Sequence, residues 1–399
     1  MKIVITNATG DLGASAARSQ RFAGFEVHGV DGRRVPRFLA CRHLSGYACI
    51  SEDDPYAGQD ALLRFIEESR ADIFLPLCTP GAVFAVQRRQ ELASLCRTNT
   101  PATDAFLAAY DKRLCMEQCS ALGIPCAGSL SRDEALAVLG RRERGSVVVK
   151  PSIDVGAANG VHHVQDARQL DAALSRCGSS YGDCLIQEYI PGPAQAMHTV
   201  TLVHSGTGRL AAAFTARKLR QWPPMGGVMA CGTSTREQGL VDTVLPFFTK
   251  WHWRGPAEVE LKRDARDGVF KVIEINPRFP GYLRLPSVCG VEMAVVAARS
   301  ALGDEPTRAA EISAYDDGVT SIAPTVFLRS VAKQAGEHGW IAALAQARAE
   351  AAGSWRIMRN LLSDPLPIAT RTFVPKRSPR SAPFGRTPAA DETAWRPAR

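Results

Sequence analysis

Residues 269–279 read Val-Phe-Lys-Val-Ile-Glu-Ile-Asn-Pro-Arg-Phe, and this stretch decides the fold. Its continuous apolar run, rich in β-branched residues, predicts a buried strand that ends at polar side chains and a proline. Glu274 and Asn276 are two residues apart, so a strand presents both on one face. A carboxylate and an amide oxygen are hard ligands of the kind that Mg²⁺ prefers. Arg278 shares this face if the extended conformation persists, and it can bind a phosphate or a carboxylate.

A second predicted strand lies just upstream, at residues 257–262, and a turn-rich segment at 264–268 joins the two. The pair predicts a β-hairpin in which Glu260 lies across from Glu274 and Asn276. An isolated Glu-x-Asn is more often part of a solvated hairpin. Three oxygen ligands on paired strands, followed by Asn-Pro-Arg, favour a metal site instead.

With these residues the sequence resembles the ATP-grasp superfamily, in particular its carboxylate–amine ligases and its carboligases similar to carbamoyl-phosphate synthase. The resemblance implies that Glu260, Glu274 and Asn276 hold Mg²⁺ (or Mn²⁺) bridging the phosphates of ATP. It also implies that Arg278 binds phosphate.

Two lysines extend the resemblance upstream. Lys150 closes the apolar run at 147–149, where a buried ammonium is costly without an anionic partner such as a triphosphate. Lys112 begins a predicted helix, and the family places an ATP-contacting lysine there. The small-residue loop that contains Gly156 can fold over phosphates, although the family's glycine string is richer.

The segment at 185–192 predicts a strand running into Pro-Gly. It resembles the family's inter-lobe linker, whose backbone binds adenine. The match falls on Glu188, Tyr189 and Ile190. Gln195 stands near the place where the family carries a ribose-binding glutamate, and its amide can still hydrogen-bond hydroxyl groups.

A basic cluster followed by Pro-Pro and Gly-Gly, at 217–227, predicts a shaped loop. Lys218 and Arg220 alternate onto one face and can hold the carboxylate of an acceptor substrate, with a solvated basic face as the alternative. Arg284, in a predicted turn after the metal strand, is a third candidate.

The first hundred residues alternate short strands with helical patterns, which predicts a parallel α/β unit. Gly10 and Gly13 follow the first strand, and Asp31 ends the second, as a dinucleotide fingerprint requires. An NAD(P)-dependent Rossmann reductase is therefore an alternative. The fingerprint is incomplete, and proteins of the ATP-grasp superfamily carry a Rossmann-like domain ahead of the ATP site.

The chain has 399 residues and a formal net charge of +8, much of it in one terminal segment. From residue 371 onward, six arginines and one lysine face two acidic residues. This composition predicts a disordered tail rather than a nucleic-acid-binding arm. The eleven cysteines form no Cys-x-x-Cys pair, which indicates free thiols and a cytoplasmic protein, and no run of residues is apolar enough to cross a membrane.

These features predict an α/β and α+β chain. A Rossmann-like domain at 1–108 precedes an ATP-grasp domain at 109–305 with a lid subdomain at about 124–190. A structural segment at 306–365 and the basic tail at 366–399 follow. The resemblance implies an ADP-forming ligase with ATP and Mg²⁺ as cofactors. It joins a small carboxylic acid to an amine through an acyl phosphate, without a nucleic-acid or membrane partner. A non-catalytic nucleotide-binding protein is a further alternative, and the oligomeric state is not readable from the sequence.

Overall fold

The computed structural model describes residues 1–50, 57–141, 145–154, 159–305 and 315–374. The strands are β1 (Lys2–Ile5), β2 (Glu26–Asp31), β3 (Gly46–Cys49), β4 (Ile73–Leu75), β5 (Ser129–Leu130), β6 (Val147–Pro151), β7 (His162–Val164), β8 (Cys184–Glu188), β9 (Met197–His204), β10 (Leu210–Trp222), β11 (Val228–Thr235), β12 (Gly255–Arg263), β13 (Phe270–Asn276) and β14 (Thr320–Ile322). The helices are α1 (Asp11–Phe22), α2 (Arg37–Ala40), α3 (Ala57–Glu68), α4 (Thr79–Gln87), α5 (Arg89–Leu95), α6 (Thr103–Tyr110), α7 (Lys112–Ala121), α8 (Arg132–Leu139), α9 (Ala167–Tyr181), α10 (Gln238–Lys250), α11 (Arg284–Val288), α12 (Met293–Leu302), α13 (Pro324–His338), α14 (Trp340–Ala351), α15 (Trp355–Leu362) and α16 (Leu366–Phe373).

The first sheet is parallel, with strand order β3-β2-β1-β4. Its strands are short and rich in Val and Ile, as buried parallel strands are. Helix α1 follows β1 through Gly10, whose φ of 132° suits a residue without a side chain. A Cβ at Gly13 would lie 2.3 Å from the carbonyl oxygen of Asn7, so the glycine lets the helix approach the strand. The backbone angle of Gly10 and the close packing at Gly13 therefore explain both glycines without a bound dinucleotide.

The second sheet, with order β5-β8-β6-β7, is antiparallel and packs with α8 and α9 around a small apolar core of its own. The third sheet is the largest, with order β13-β12-β9-β10-β11-β14, and all its neighbours are antiparallel. One continuous core joins the first and third sheets, and α1, α6, α7 and α12 contribute to it. The second sheet therefore has a core separate from the one that the other two sheets share.

The predicted hairpin is present as β12 and β13, with Glu260 directly opposite Glu274. The predicted loop is wrong in its first part. The basic cluster at 217–222 belongs to β10, because β9 and β11 pair with this strand on both sides. In the C-terminal segment, β14 ends at Ile322, and Pro324 opens α13, where its missing N–H costs nothing.

The predicted tail is corrected at its start, because residues 366–373 form helix α16, which contacts α2. Thr370 Oγ1 donates to the Leu39 carbonyl (2.6 Å), and Arg33 Nε donates to the Val374 carbonyl (2.9 Å). Residues 375–399 lie outside the described residues. The other domain boundaries stay predictions.

The cysteines differ from the prediction at one place, because Cys177 and Cys184 form a disulfide between α9 and β8. Cys115 and Cys119 are buried and free. In the described parts of the chain, every helix falls short of the length or apolarity needed to span a bilayer. The expected cytoplasmic location stays a prediction.

Candidate active site

A cavity of about 280 Å³ opens between the second sheet and the β12–β13 hairpin. Strands β6 to β8 form one wall, and the β10–β11 turn forms another. The predicted site residues that line it are Lys112, Lys150, Glu188, Tyr189, Ile190, Lys218, Glu260, Glu274 and Arg278. Residues that are up to 166 positions apart in the chain therefore meet in one place.

The acidic pair Glu260 and Glu274 stands at the centre of the cavity. Lys218 Nζ donates to Glu260 Oε2 at 3.0 Å, and Lys112 Nζ lies 3.9 Å from Glu274 Oε2. Burial disfavours the charge of Glu274, but Lys112 and Lys150 outweigh it and hold the pKa of this carboxyl below its usual value. Asn276 Nδ2 donates to Glu274 Oε1 at 3.2 Å, so the amide supports the carboxylate, although Asn276 itself does not line the cavity.

A β-bulge shapes this pair. Glu260 faces Glu274 but Leu261 faces Val272, so Ile273 is an extra residue in β13. Its carbonyl accepts hydrogen bonds from Lys150 Nζ and from Gln187 Nε2, both at 3.3 Å. The bulge thus connects the hairpin to the lysine strand β6 and to β8.

Lys150 is 4% exposed and lies between the two sheets. Burial lowers the pKa of its ammonium to about 8, against the opposing attraction of Glu274. Lys112 opens helix α7, where Asp111 caps the helix by accepting from the Arg113 and Leu114 amides at 2.8 and 3.1 Å. Three lysines therefore surround the acidic pair, and together they suit a ligand with several phosphates.

The end of β8 forms the far wall of the cavity through Glu188, Tyr189 and Ile190. The Glu188 carboxylate is bound by Arg266, and Lys271 lies 4.0 Å away. Both partners lie on the β12–β13 hairpin or its turn, so this wall is anchored to the hairpin.

A second acidic cluster, which the sequence interpretation missed, surrounds Arg278. The guanidinium donates to Glu258 Oε2 at 2.7 Å and lies 3.8 Å from Asp154. Burial raises the pKa of Glu258 to about 7, although Arg278 opposes this shift. Glu258 was readable in principle because it alternates with Glu260 on one face of β12. Asp154 bonds to Thr79 of the first sheet's helix α4, a contact that no local pattern shows.

Besides Asn276, three predicted residues within the described part of the chain do not line the cavity. Arg220 lies on the far side of a register shift in β10 and binds Glu350 of α14 at 2.6 and 3.1 Å. Arg284 is held by Asp11 and Asn360. Gln195 Nε2 donates to the Leu219 carbonyl at 2.9 Å and faces a separate cleft. Gly156 lies outside the described residues.

At the alternative dinucleotide site, the predicted ribose-binding carboxylate of Asp31 is already bound by neighbouring side chains. Asp31 is fully buried, accepts from Thr9 Oγ1 at 2.7 Å, and pairs with Arg33 at 3.0 Å. A ribose would have to displace these partners. Across the described residues no three or more His, Cys, Asp or Glu side chains cluster as a metal site, so the metal candidates are the two carboxylates and the amide.

Comparisons with known proteins give matches in structure only. No protein-family model matches the chain, and no curated protein matches its sequence. The biotin carboxylase domain of 2-oxoglutarate carboxylase from Hydrogenobacter thermophilus, solved with ADP, magnesium and bicarbonate, is 16% identical at a TM-score of 0.64, covering 79% of this chain and 72% of that one.

Two further solved structures also match this chain in fold. Biotin carboxylase from Campylobacter jejuni, in complex with an ATP ligand, is 16% identical over 80% of this chain and 74% of that chain, with a TM-score of 0.61. An L-amino acid ligase from Bacillus licheniformis is 17% identical over 80% and 78% of the two chains, with a TM-score of 0.60. The chain therefore has the ATP-grasp fold that the sequence resemblance implied.

Proposed function

We propose that the chain is an ATP-dependent ligase that activates a carboxylate as an acyl phosphate and joins it to an amine, releasing ADP and phosphate. One observation carries the proposal: Glu260 and Glu274 face each other across paired strands, inside a cavity that also holds Lys112, Lys150 and Lys218. The three solved structures support it, since two contain ADP or an ATP ligand and the third is a ligase by name. The parallel sheet of the first hundred residues serves in this proposal as the Rossmann-like domain.

The donor set fits Mg²⁺ or Mn²⁺. Two carboxylates lie opposite each other, and the Asn276 amide lies beside Glu274, to which its Nδ2 donates. Mg²⁺ is typically bound by one or two carboxylates together with substrate phosphates. Bound here by Glu260, Glu274 and Asn276, the metal would neutralise charge on the β- and γ-phosphates.

The residues of the chain then have distinct roles. Lys112 and Lys150 hold the phosphates of ATP, and Arg278 stabilises the transferring phosphoryl group. Lys218, already paired with Glu260, steers the acceptor carboxylate toward the γ-phosphorus. A carboxylate oxygen attacks that phosphorus and the bond to ADP breaks. The amine nitrogen next attacks the acyl carbon, phosphate leaves, and the amine gives up a proton. Arg220 and Arg284 have no part, because both are bound elsewhere.

Thermal-shift measurements test the first part of the proposal, which is that the chain binds ATP and ADP. A ligand that binds only the folded state raises the unfolding midpoint, so Mg-ATP and Mg-ADP should raise it. NADH and NADPH should not, because Asp31 is already bound by Thr9 and Arg33. A shift with NADPH and none with Mg-ADP would favour the reductase instead.

Turnover assays test the second part of the proposal, which is that the chain joins a carboxylic acid to an amine. Pools of small carboxylic acids and amines should release phosphate from ATP only when acid and amine are both present. Chromatography of the spent nucleotide should show ADP. AMP as the stoichiometric product would contradict the acyl-phosphate route, and nucleotide binding without turnover on any pool would favour the non-catalytic alternative.

A further inference from the structure

Strand β12 runs along the cavity, and its residues Glu260 and Lys262 line it. Glu258, Glu260 and Lys262 alternate on one face, so they are spaced by about 7 Å each. Glu258 meets Arg278, and Glu260 meets Lys218 and the opposed Glu274. Lys262 comes next in the direction of Tyr189, whose ring centroid lies 5.0 Å from Lys262 Nζ. The strand thus runs from the phosphoryl-transfer end of the cavity toward the wall that β8 forms.

Lys262 differs from the other lysines of the cavity. Lys112 and Lys218 each lie within 4.0 Å of a carboxylate, and Lys150 binds a carbonyl. Within the described part of the chain, no carboxylate lies within 4.0 Å of Lys262 Nζ, and no hydrogen bond to it occurs. Its side chain is half-buried and lines the cavity. A partly desolvated cation without an anionic or hydrogen-bonding partner is costly unless a ligand supplies one.

Two polar atoms on the nearby cavity wall also lack hydrogen-bond partners in the described residues. His163 Nε2 and Gln221 Oε1 line the same cavity region as buried polar atoms without a partner in the described structure. Gly192 packs over the stem of Lys262, since a Cβ there would lie 3.6 Å from Lys262 Cε. The ammonium therefore lies near the end of β8, two residues along β12 from Glu260. In a nucleotide the ribose joins phosphates to base, so with the phosphates at Lys112 and Lys150 and the base at the end of β8, the ribose would lie near Lys262.

The residue that the resemblance suggested for this task does not line the cavity in this structure. Gln195 donates to the Leu219 carbonyl and faces a separate cleft. We propose that Lys262 is the ribose-binding residue of this site, with Nζ donating hydrogen bonds to the ribose hydroxyls. This inference rests on the proposed nucleotide-binding function and adds to it how the chain selects a ribonucleotide.

Isothermal calorimetry with Mg-ADP and Mg-2′,3′-dideoxy-ADP tests the proposal. The wild-type protein should bind the dideoxy nucleotide about tenfold more weakly, the effect of losing one charged hydrogen bond. Lys262→Met keeps the length of the stem, and it should bind both nucleotides with nearly equal affinity. Lys262→Arg should restore the preference, and Lys262→Leu, which also lacks a hydrogen-bond donor, serves if the methionine variant does not fold.

Gln195→Ala is the matched control, and it should keep the wild-type ratio. Inorganic tripolyphosphate with Mg²⁺ should bind the wild type and Lys262→Met alike, because it has no ribose. A wild-type protein without preference for Mg-ADP, a preference that survives in Lys262→Met, or one that is lost in Gln195→Ala would each overturn the Lys262 assignment while leaving the ligase proposal intact. A wild-type protein that binds no Mg-ADP would overturn both.

Discussion

The β12–β13 hairpin and the C-terminal helices α13 to α16 illustrate two ways in which a sequence relates to structure. In the hairpin, partners are close in the chain: Glu260 and Glu274 pair across a short turn, and the alternation of side chains predicts which face they share. In the helices, the decisive partners are distant, such as Arg220 with Glu350 or Arg33 with Val374. Local pattern therefore identifies the chemistry of the site, whereas the residues that only support the fold are identified by tertiary contacts.

The largest effect should come from the hairpin. Glu274→Gln keeps the shape of the side chain but removes a charge that faces Lys112 and the proposed metal. Metal-dependent phosphate release should fall by orders of magnitude while the circular dichroism spectrum is retained. Glu67→Gln, on the exposed face of α3, is the control and should leave turnover unchanged. Full activity in Glu274→Gln would refute the metal assignment.

Lys150 tests whether the bulged hairpin and β6 act as one site. Lys150→Met removes the ammonium that meets the Ile273 carbonyl and, in our proposal, the triphosphate. A charged hydrogen bond contributes about 1.5–3 kcal/mol, so the dissociation constant for Mg-ATP should rise about 10- to 100-fold in calorimetry. Equal affinity in wild type and variant would show that the cavity binds its ligand elsewhere.

A smaller effect follows from the pKa of Lys150, which burial lowers to about 8. Below that pH the ammonium is charged in the free protein. Above it the proton is lost, so phosphate binding must first restore it. The affinity for Mg-ADP should therefore fall as pH rises from 7 to 9.5, by up to about tenfold per unit beyond the pKa. Lys150→Met should lack this step, and a step that persists in the variant would assign it to another group.

The smallest effect on the site should come from the C-terminal region. Deleting residues 375–399 should leave both the unfolding midpoint and nucleotide binding unchanged, because their composition cannot supply a core. Deleting residues 366–399 also removes α16 and leaves Arg33 without the Val374 carbonyl. We expect a loss of about 1–3 kcal/mol in unfolding free energy with little change in nucleotide affinity. Equal stability of the two truncations would show that α16 contributes nothing to the fold.

Much of the fold was predictable, since the ordered series Lys112, Lys150, Glu260 and Glu274 led to the ATP-grasp fold that the comparisons show. Arg220 was misplaced because a register shift in β10 turns it toward α14, and no property of residues 217–222 reveals that shift. Arg284 was misplaced because its partner Asp11 lies 273 residues away.

Two residues were missed for a different reason. Glu258 and Lys262 are adjacent in pattern to Glu260, and the alternation rule alone places all three on one face. Only the structure shows that Glu258 meets Arg278. It also shows that Lys262 lies over the Tyr189 ring and has no carboxylate or hydrogen-bond partner in the described residues.

The extra residue Ile273 also governs how this site can change in evolution. Because Ile273 is the residue in excess, its loss would restore a regular ladder and leave Glu274 opposite Glu260, on the present face. The hairpin would then lose the carbonyl that Lys150 and Gln187 bind. Loss of a second residue would shift the pairing by one position and turn Glu274 and Asn276 to the opposite face, which would abolish the site in one step while the strands could still pair. Among descendants of this gene, the bulge residue is therefore the one position of this strand where a single deletion would spare the acidic pair.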